Sequence, residues 1–479
     1  MIRRIWLFTL LCFFSAFARP HSAWSQDLNA ELELLSVWIQ ERIDYYKIPG
    51  VAIGVVDNQK LIWAKGFGYS DVESKKLMTP ETLCRIASIT KTFTAAAIMQ
   101  LRDQGKLRLD DPITRFLPWF QIKSRFAAEP PITIENLLTH TSGLPGEAAF
   151  PYWTDHRFPT AEQIRRTVPN QELIQAPWSA YHYSNLGLAL AGQIVEAASG
   201  EPYESYVSKH ILQPLHMDNT SVVPAAEQRS RLAASYDRLL PDGTRLRLDF
   251  PESQGLIPAA NISSCVIDLA KYIALHLRYE DISDSAVLAG PTLREMQRVH
   301  WLDPSWNSGR GLGFAVNKRN NRTLVGHSGW VAGYKSRIVF CPAEKIGIIV
   351  LMNCADGDPT TIAYRAYDLV APLILKARPS PPALTADLVA AAKYVGDYED
   401  LTGWRIRVMV RHDRLVLYQH DYPPADDPEA GVIELTPVDE NIFRMTGENG
   451  NGELVRFILN SDQRVERLYK GENYYLWKR

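Results

Sequence analysis

Apolar residues recur with helical spacing at Leu32, Leu34, Leu35, Trp38, Ile39 and Ile43, and the pattern stops ahead of Pro49 and Gly50, so a helix is predicted over residues 28–46. The period then shortens. Residues 51–56 and 61–69 read as two strands joined by the polar turn 57–60, and a second hairpin is predicted from residues 334–340 and 346–352 around a break containing Pro342. Between the hairpins the chain is mostly helical. Residues 85–93 open an apolar run, 94–101, with no Gly or Pro before Gly105, which predicts a buried helix. Further helices are expected at 186–198, 203–211 and 266–277, and one at 360–374 beyond the second hairpin. Residues 146–180 and 220–262 lack clean periodicity and read as long surface loops. The pattern predicts an α+β domain, in which one antiparallel sheet is closed by its two ends, flanked by helices, and carries an inserted all-helical region.

A different pattern follows residue 375. Residues 376–387 have the Pro-rich composition of a linker. Apolar stretches at 404–411, 415–418, 432–435, 442–445, 454–459, 465–469 and 474–477 alternate with turn residues, so residues 388–479 are predicted to form an all-β small barrel or antiparallel sheet. At the other end, Arg3 and Arg4 precede an apolar run, 5–18, followed by small residues suited to cleavage. Residues 1–25 therefore read as a secretory signal peptide rather than a membrane span, with residues 26–375 as the main domain. The expectation is an exported protein, periplasmic or secreted, that meets a membrane only for export.

Composition narrows the partners. A chain of 479 residues exceeds what one core supports, and 46% hydrophobic with 22% charged residues is ordinary for a soluble globular protein. With 52 basic against 54 acidic residues, no electrostatic argument for nucleic acid arises, and none is expected as a partner. Beyond residue 25, Cys84, Cys265, Cys341 and Cys354 are irregularly spaced and read as buried free thiols. No short metal-ligand spacing or Gly-rich phosphate loop is present, so no metal and no cofactor is expected.

Three short stretches could carry chemistry. Ser88 and Lys91 stand three apart at a helix start, which places hydroxyl beside amine where unpaired N–H groups are available to a developing oxyanion. Tyr183-Ser184-Asn185 precedes an apolar helix; the phenol can pass a proton, the amide can orient a substrate, and Ser184 alone would read as a helix cap. Gly326-His327-Ser328-Gly329-Trp330 lies just upstream of the second hairpin, where glycine lets a backbone approach a ligand closely. It misses the G-x-S-x-G elbow because Trp330 holds the last Gly position, leaving Ser328 a weak rival nucleophile.

Taken together and in this order, Ser88-x-x-Lys91, Tyr183-Ser184-Asn185 and His327-Ser328-Gly329 resemble the serine hydrolases of the penicillin-binding protein and class C β-lactamase family. The similarity extends to residues 107–112, 116–118, 134–145 and 261–270 and covers roughly residues 30–375. It implies a β-lactamase/transpeptidase-like fold, Ser88 as the acylated nucleophile, Lys91 and Tyr183 as the proton-transfer pair, and Asn185 as a substrate-amide anchor. His327 and Gly329 would line the substrate, and the backbone N–H groups of Ser88 and Trp330 would form the oxyanion hole. Some positions depart from the family pattern. His327 replaces a permanent lysine cation, weakening attraction for a β-lactam carboxylate. Trp330 stands where small residues are frequent, and Trp178 where Gly is common. The implied activity is hydrolysis of amide bonds in small peptides, D-residue peptides in particular, or of β-lactam-like compounds. A carboxylesterase of the same family and a non-catalytic peptide or β-lactam receptor are the alternatives. The C-terminal segment resembles the lipocalin-like barrels appended to some members, with a stabilising or lid role expected ahead of ligand binding.

Overall fold

The computed structural model describes residues 26–126, 128–249, 252–280, 287–378, 388–420 and 426–478. Residues 1–25, expected to be a signal peptide, and residues 379–387 of the Pro-rich stretch lie outside them. The chain divides into two compact units, one ending at Ala377 and one beginning at Arg378.

In the first unit the N-terminal period becomes helix α1 (Gln26–Tyr46), with Leu28, Leu32, Leu35, Ile39 and Ile43 on its buried face. The central sheet has nine strands. They are β1 (Gly50–Asp57), β2 (Lys60–Asp71), β3 (Lys76–Leu77), β4 (Trp301–Leu302), β5 (Ser308–Arg310), β6 (Ala315–Arg319), β7 (Arg322–Val331), β8 (Tyr334–Cys341) and β9 (Ile346–Met352). Their order is β3-β2-β1-β9-β8-β7-β6-β5-β4. The two predicted hairpins meet where β1 pairs antiparallel with β9, Ile53 opposite Val350.

Period-two alternation divides the sheet between two cores. Val51, Ile53 and Val55 of β1 face α1 and the late helix α5 (Pro359–Ala377), whereas Ala52 and Val56 face the inserted region. Because both faces are covered, β1 and β9 are buried nearly end to end and read as apolar runs. The inserted region is built around α2 (Thr90–Asp103), α3 (Asn185–Ser199) and α4 (Val266–His276), with every residue of α2 from Thr90 to Leu101 buried.

Several segments differ from expectation. Residues 146–180 hold short helices at Tyr152–Asp155 and Ala161–Thr167, and residues 220–262 hold a hairpin, Ser235–Leu239 with Arg245–Leu248, and a helical turn at Ile257–Ala260. These pieces are too short to show a period. They are fixed by local bonds, such as the capping box Thr160 makes with Gln163. The helix expected over 203–211 ends at Val207 and continues as a π turn, Ser208–Leu212.

The second unit is a closed eight-stranded barrel, β10 (Gly396–Glu399), β11 (Arg405–Arg411), β12 (Arg414–Gln419), β13 (Val432–Asp439), β14 (Ile442–Thr446), β15 (Leu454–Leu459), β16 (Val465–Lys470) and β17 (Asn473–Lys478). The strand not anticipated, β10, closes it: Tyr398 pairs opposite Trp477, so no open edge remains. Tyr398, Ile406, Val408, Leu417, Phe457 and Leu468 form its core. Among the described residues no helix is long and apolar enough to cross a membrane, and Cys84, Cys265, Cys341 and Cys354 are buried free thiols.

Candidate active site

The nucleophile candidate sits on a turn held from three sides. Cys84–Arg85 pairs with Ser263–Ser264, the Ile86 N–H donates to the Ile262 carbonyl at 2.9 Å, and Ser336 Oγ on β8 donates to the Ile86 carbonyl at 2.8 Å. Ala87 then takes a left-handed φ of 48°, a conformation that costs a non-glycine residue roughly 1 kcal/mol or more and persists only where surroundings impose it. That turn leaves Ser88 half-buried at the entrance to α2.

Lys91, one helical turn on, is fully buried. Its Nζ lies 3.0 Å from Ser88 Oγ and donates to the Ala259 carbonyl at 2.8 Å. No carboxylate forms an ion pair with it among the described residues. Burial therefore lowers its pKa to about 7, opposed only by the more distant negative charge of Glu147. A neutral amine can accept the hydroxyl proton.

The Tyr183 ring lies 4.9 Å from Lys91 Nζ and stacks on His140 at 4.4 Å between centroids. Burial raises its phenol well above the ordinary value, against a hydrogen bond with Ser88 that acts in the opposite sense. The phenol thus stays protonated and can hand on a proton it regains. Ser184 does cap α3: its Oγ accepts from the Gly187 N–H at 2.9 Å and donates to the Pro145 carbonyl at 2.7 Å. The cap fixes the residues on either side of it. Asn185 donates through Nδ2 to Glu147 Oε1 at 2.7 Å.

Strand β7 closes the other side. A Cβ on Gly329 would run into the Ile86 carbonyl, Ser336 Oγ and Ala87 Cβ, so glycine is what lets this strand pass against the Ser88 turn. His327 is on the same face of β7, with its ring centroid 6.3 Å from that of Tyr183 and its Nδ1–H donating to the Ser328 carbonyl at 2.6 Å. Burial first, then the charges of Lys91, Arg337 and Arg310, depress its pKa to about 3, so the imidazole is neutral. Strand alternation turns Ser328 away from that face, whereas the Lys91 amine lies against Ser88. Trp330 is 47% exposed and stacks on Trp153 at 5.4 Å, forming an aromatic wall. Trp178 takes a left-handed φ of 66°, the conformation glycine favours, and donates its N–H to the Thr141 carbonyl at 2.8 Å.

Ser88, Lys91, Tyr183, Asn185, His327, Gly329 and Trp330 therefore come from three separate segments to one place. Four contributors were not singled out from sequence: His140, Glu147, Arg310 and the Ala259 carbonyl. His140 accepts from the Ser184 N–H at Nδ1 (3.0 Å) besides stacking on Tyr183, and stands in left-handed conformation at the C-terminus of the helix Ile134–Thr139. The Arg310 guanidinium lies 4.1 Å over the Tyr181 ring and lines a cavity of ≈ 140 Å³ with Tyr183 and His327. Residues 134–145 were the available signal for His140; nothing local marks the others. Among the described residues no group of three His, Cys, Asp or Glu side chains could hold a metal ion.

Known proteins share the sequence pattern and the fold of this chain. Residues 35–371 match the family model described as Beta-lactamase. Protein flp of Staphylococcus aureus (strain N315) is 30% identical over 313 residues, 64% of this chain and 60% of that protein. Beta-lactamase-like protein 2 of Dictyostelium discoideum is 28% identical over 326 residues, 67% of this chain and 58% of its own length. The match thus spans about 60% of the length of these curated relatives. Among solved structures, the octameric penicillin-binding protein homologue from Pyrococcus abyssi superposes with a TM-score of 0.61 at 30% identity, covering 93% of this chain and 100% of that one. The site is thus the Ser-x-x-Lys, Tyr-x-Asn, His-x-Gly arrangement on the matching fold, and the chain belongs to the beta-lactamase family.

Proposed function

We propose that the protein is an exported serine hydrolase that cleaves amide bonds of short peptides, D-residue peptides or β-lactam-like compounds through an acyl-enzyme on Ser88. The observation that carries this reading is the 3.0 Å contact between Ser88 Oγ and a lysine amine whose pKa is lowered to about 7. Ser88 Oγ attacks the carbonyl carbon while its proton moves to Lys91 Nζ. Tyr183 relays a proton to the leaving group, and water then hydrolyses the ester under the same base. The oxyanion is assigned to the backbone N–H groups of Ser88 and Trp330, since the close passage of Gly329 by Ile86 and Ala87 brings β7 alongside the nucleophile's turn. Asn185 contacts the acyl part of the substrate.

A second reading, carboxylesterase, is favoured by the neutral His327. It supplies no permanent charge for a substrate carboxylate, and an ester needs less help at its leaving group than an amide. One experiment separates the two. The protein is mixed briefly with a penicillin, and separately with a fluorophosphonate, and its intact mass is measured beside Ser88→Ala. A whole-penicillin adduct lost in the variant supports the peptidase reading; a fluorophosphonate adduct alone supports the esterase. Absence of both from the wild type rejects Ser88 as a nucleophile.

A further inference from the structure

The proposed chemistry makes no use of the charge of Glu147. Its carboxylate is half-buried and held at both oxygens: Oε1 accepts from Asn185 Nδ2 at 2.7 Å, and Oε2 accepts from the hydroxyl of the fully buried Tyr152. Both donors are neutral. Among the described residues no Lys, Arg or His forms an ion pair with it, yet its charge acts on Lys91 and Tyr183, so it lies within the field of the reacting groups. The main chain around it is fixed as well. Gly146 accepts the Asn185 N–H at 2.7 Å, Ser184 Oγ donates to the Pro145 carbonyl at 2.7 Å, and Gln171 Nε2 donates to the Glu147 carbonyl at 3.0 Å.

A carboxylate so oriented, partly desolvated and lacking a cation, is complementary to a cation brought by a ligand. The charges at the other side of the site have the opposite sign. Arg310 and Arg337 both approach His327 there, and no acidic residue lines the cavity they share. A ligand with its positive end beside Asn185 is therefore matched to the site, and one reversed is opposed by both arginines.

We propose that Glu147 is a specificity-determining residue that binds a free ammonium group on the acyl side of the substrate, so that the enzyme acts on acyl donors with an unblocked α-amino group. This rests on the Ser88 acyl-enzyme reading and on Asn185 contacting the acyl part. Glu147 takes no proton in it; the ammonium stays protonated, and the contribution is to orientation and affinity.

The test compares D-alanine p-nitroanilide with its N-acetyl counterpart at pH 7, in wild type and in Glu147→Gln. In parallel, D-alaninamide and N-acetyl-D-alaninamide compete against fluorophosphonate labelling of Ser88, which reads binding without turnover. The expected result is at least a tenfold preference for the free amine in wild type, in kcat/KM or in protection, falling about tenfold in Glu147→Gln. If that variant fails to fold, Glu147→Asp, which keeps the charge but withdraws it by one methylene, should reduce the preference severalfold. Equal handling of the two compounds by wild type overturns the proposal. So does a preference that survives Glu147→Gln, or a proportional loss on both compounds, which would assign Glu147 to the chemical step or to packing. Neither compound acting while Ser88 still labels overturns the ammonium site alone, whereas no Ser88 labelling overturns the acyl-enzyme reading beneath it.

Discussion

Removing a lysine amine from water without a carboxylate beside it costs the charged form its solvation, and at Lys91 this brings the pKa to about 7. Two consequences follow at the scale of this residue. With Ser88 as nucleophile, kcat/KM should rise about tenfold per pH unit below pH 7 and level off above it, because only neutral Lys91 accepts the proton. Lys91→Arg should lack that rise and lose activity by at least about three orders of magnitude, since a guanidinium does not deprotonate in this range. Stability has its own sign. Between pH 7 and 10.5 the folded chain has released a proton that the unfolded chain retains, so the contribution of Lys91 to stability increases with pH across that window. Thermal melts should accordingly show Lys91→Met most stabilised relative to wild type at or below pH 7, with the gap narrowing towards pH 10. Ser88 and Lys91 were legible in the sequence because three-residue spacing on a helix fixes their contact. His140 and Glu147 were not, because their roles come from tertiary contacts with residues some 40 positions away. His140→Ala, which removes the stack under Tyr183, should lower kcat about tenfold to a hundredfold with little change in KM.

At the scale of elements, the site is a junction between one helix start and one strand. Gly329 is where β7 passes the Ser88 turn, and Gly329→Ala would force a methyl group into the Ile86 carbonyl. The expected outcome is a stability loss of about 1–3 kcal/mol by denaturant titration and a drop in kcat/KM of about a hundredfold, larger than the stability loss alone explains. An unchanged kcat/KM would mean that the spacing between β7 and the Ser88 turn does not matter to turnover. The long elements were readable from the chain. α1, β1 and β9 carry enough residues for a period or an apolar run to show, and each is buried as that pattern requires. The short strands β4 to β6 at one end of the sheet, the hairpin strand Ser235–Leu239 and the helix Ala161–Thr167 were not readable. Their two to seven residues adopt structure because neighbours and caps hold them, and no local pattern encodes that.

At the scale of the whole molecule, the two units have separate cores, one pair of clusters about the nine-stranded sheet and one inside the barrel. Leu468 is fully buried in the barrel, and Leu468→Ala should cost about 2–5 kcal/mol. Calorimetry should show the loss in one transition with the other in place; a single transition shifting as a whole would show that the units unfold together. The pairing of β1 with β9 also has a meaning in time. Emerging at about 5–20 residues per second, Ser88 precedes His327 by roughly 240 residues, or some 12 to 48 s. During that interval the nascent polypeptide carries its serine and lysine but no β7 beside them. On the Ser88 acyl-enzyme reading, hydrolytic competence is thereby tied to completed synthesis of the sheet, and an unfinished chain carries a nucleophile without the strand that would complete its site.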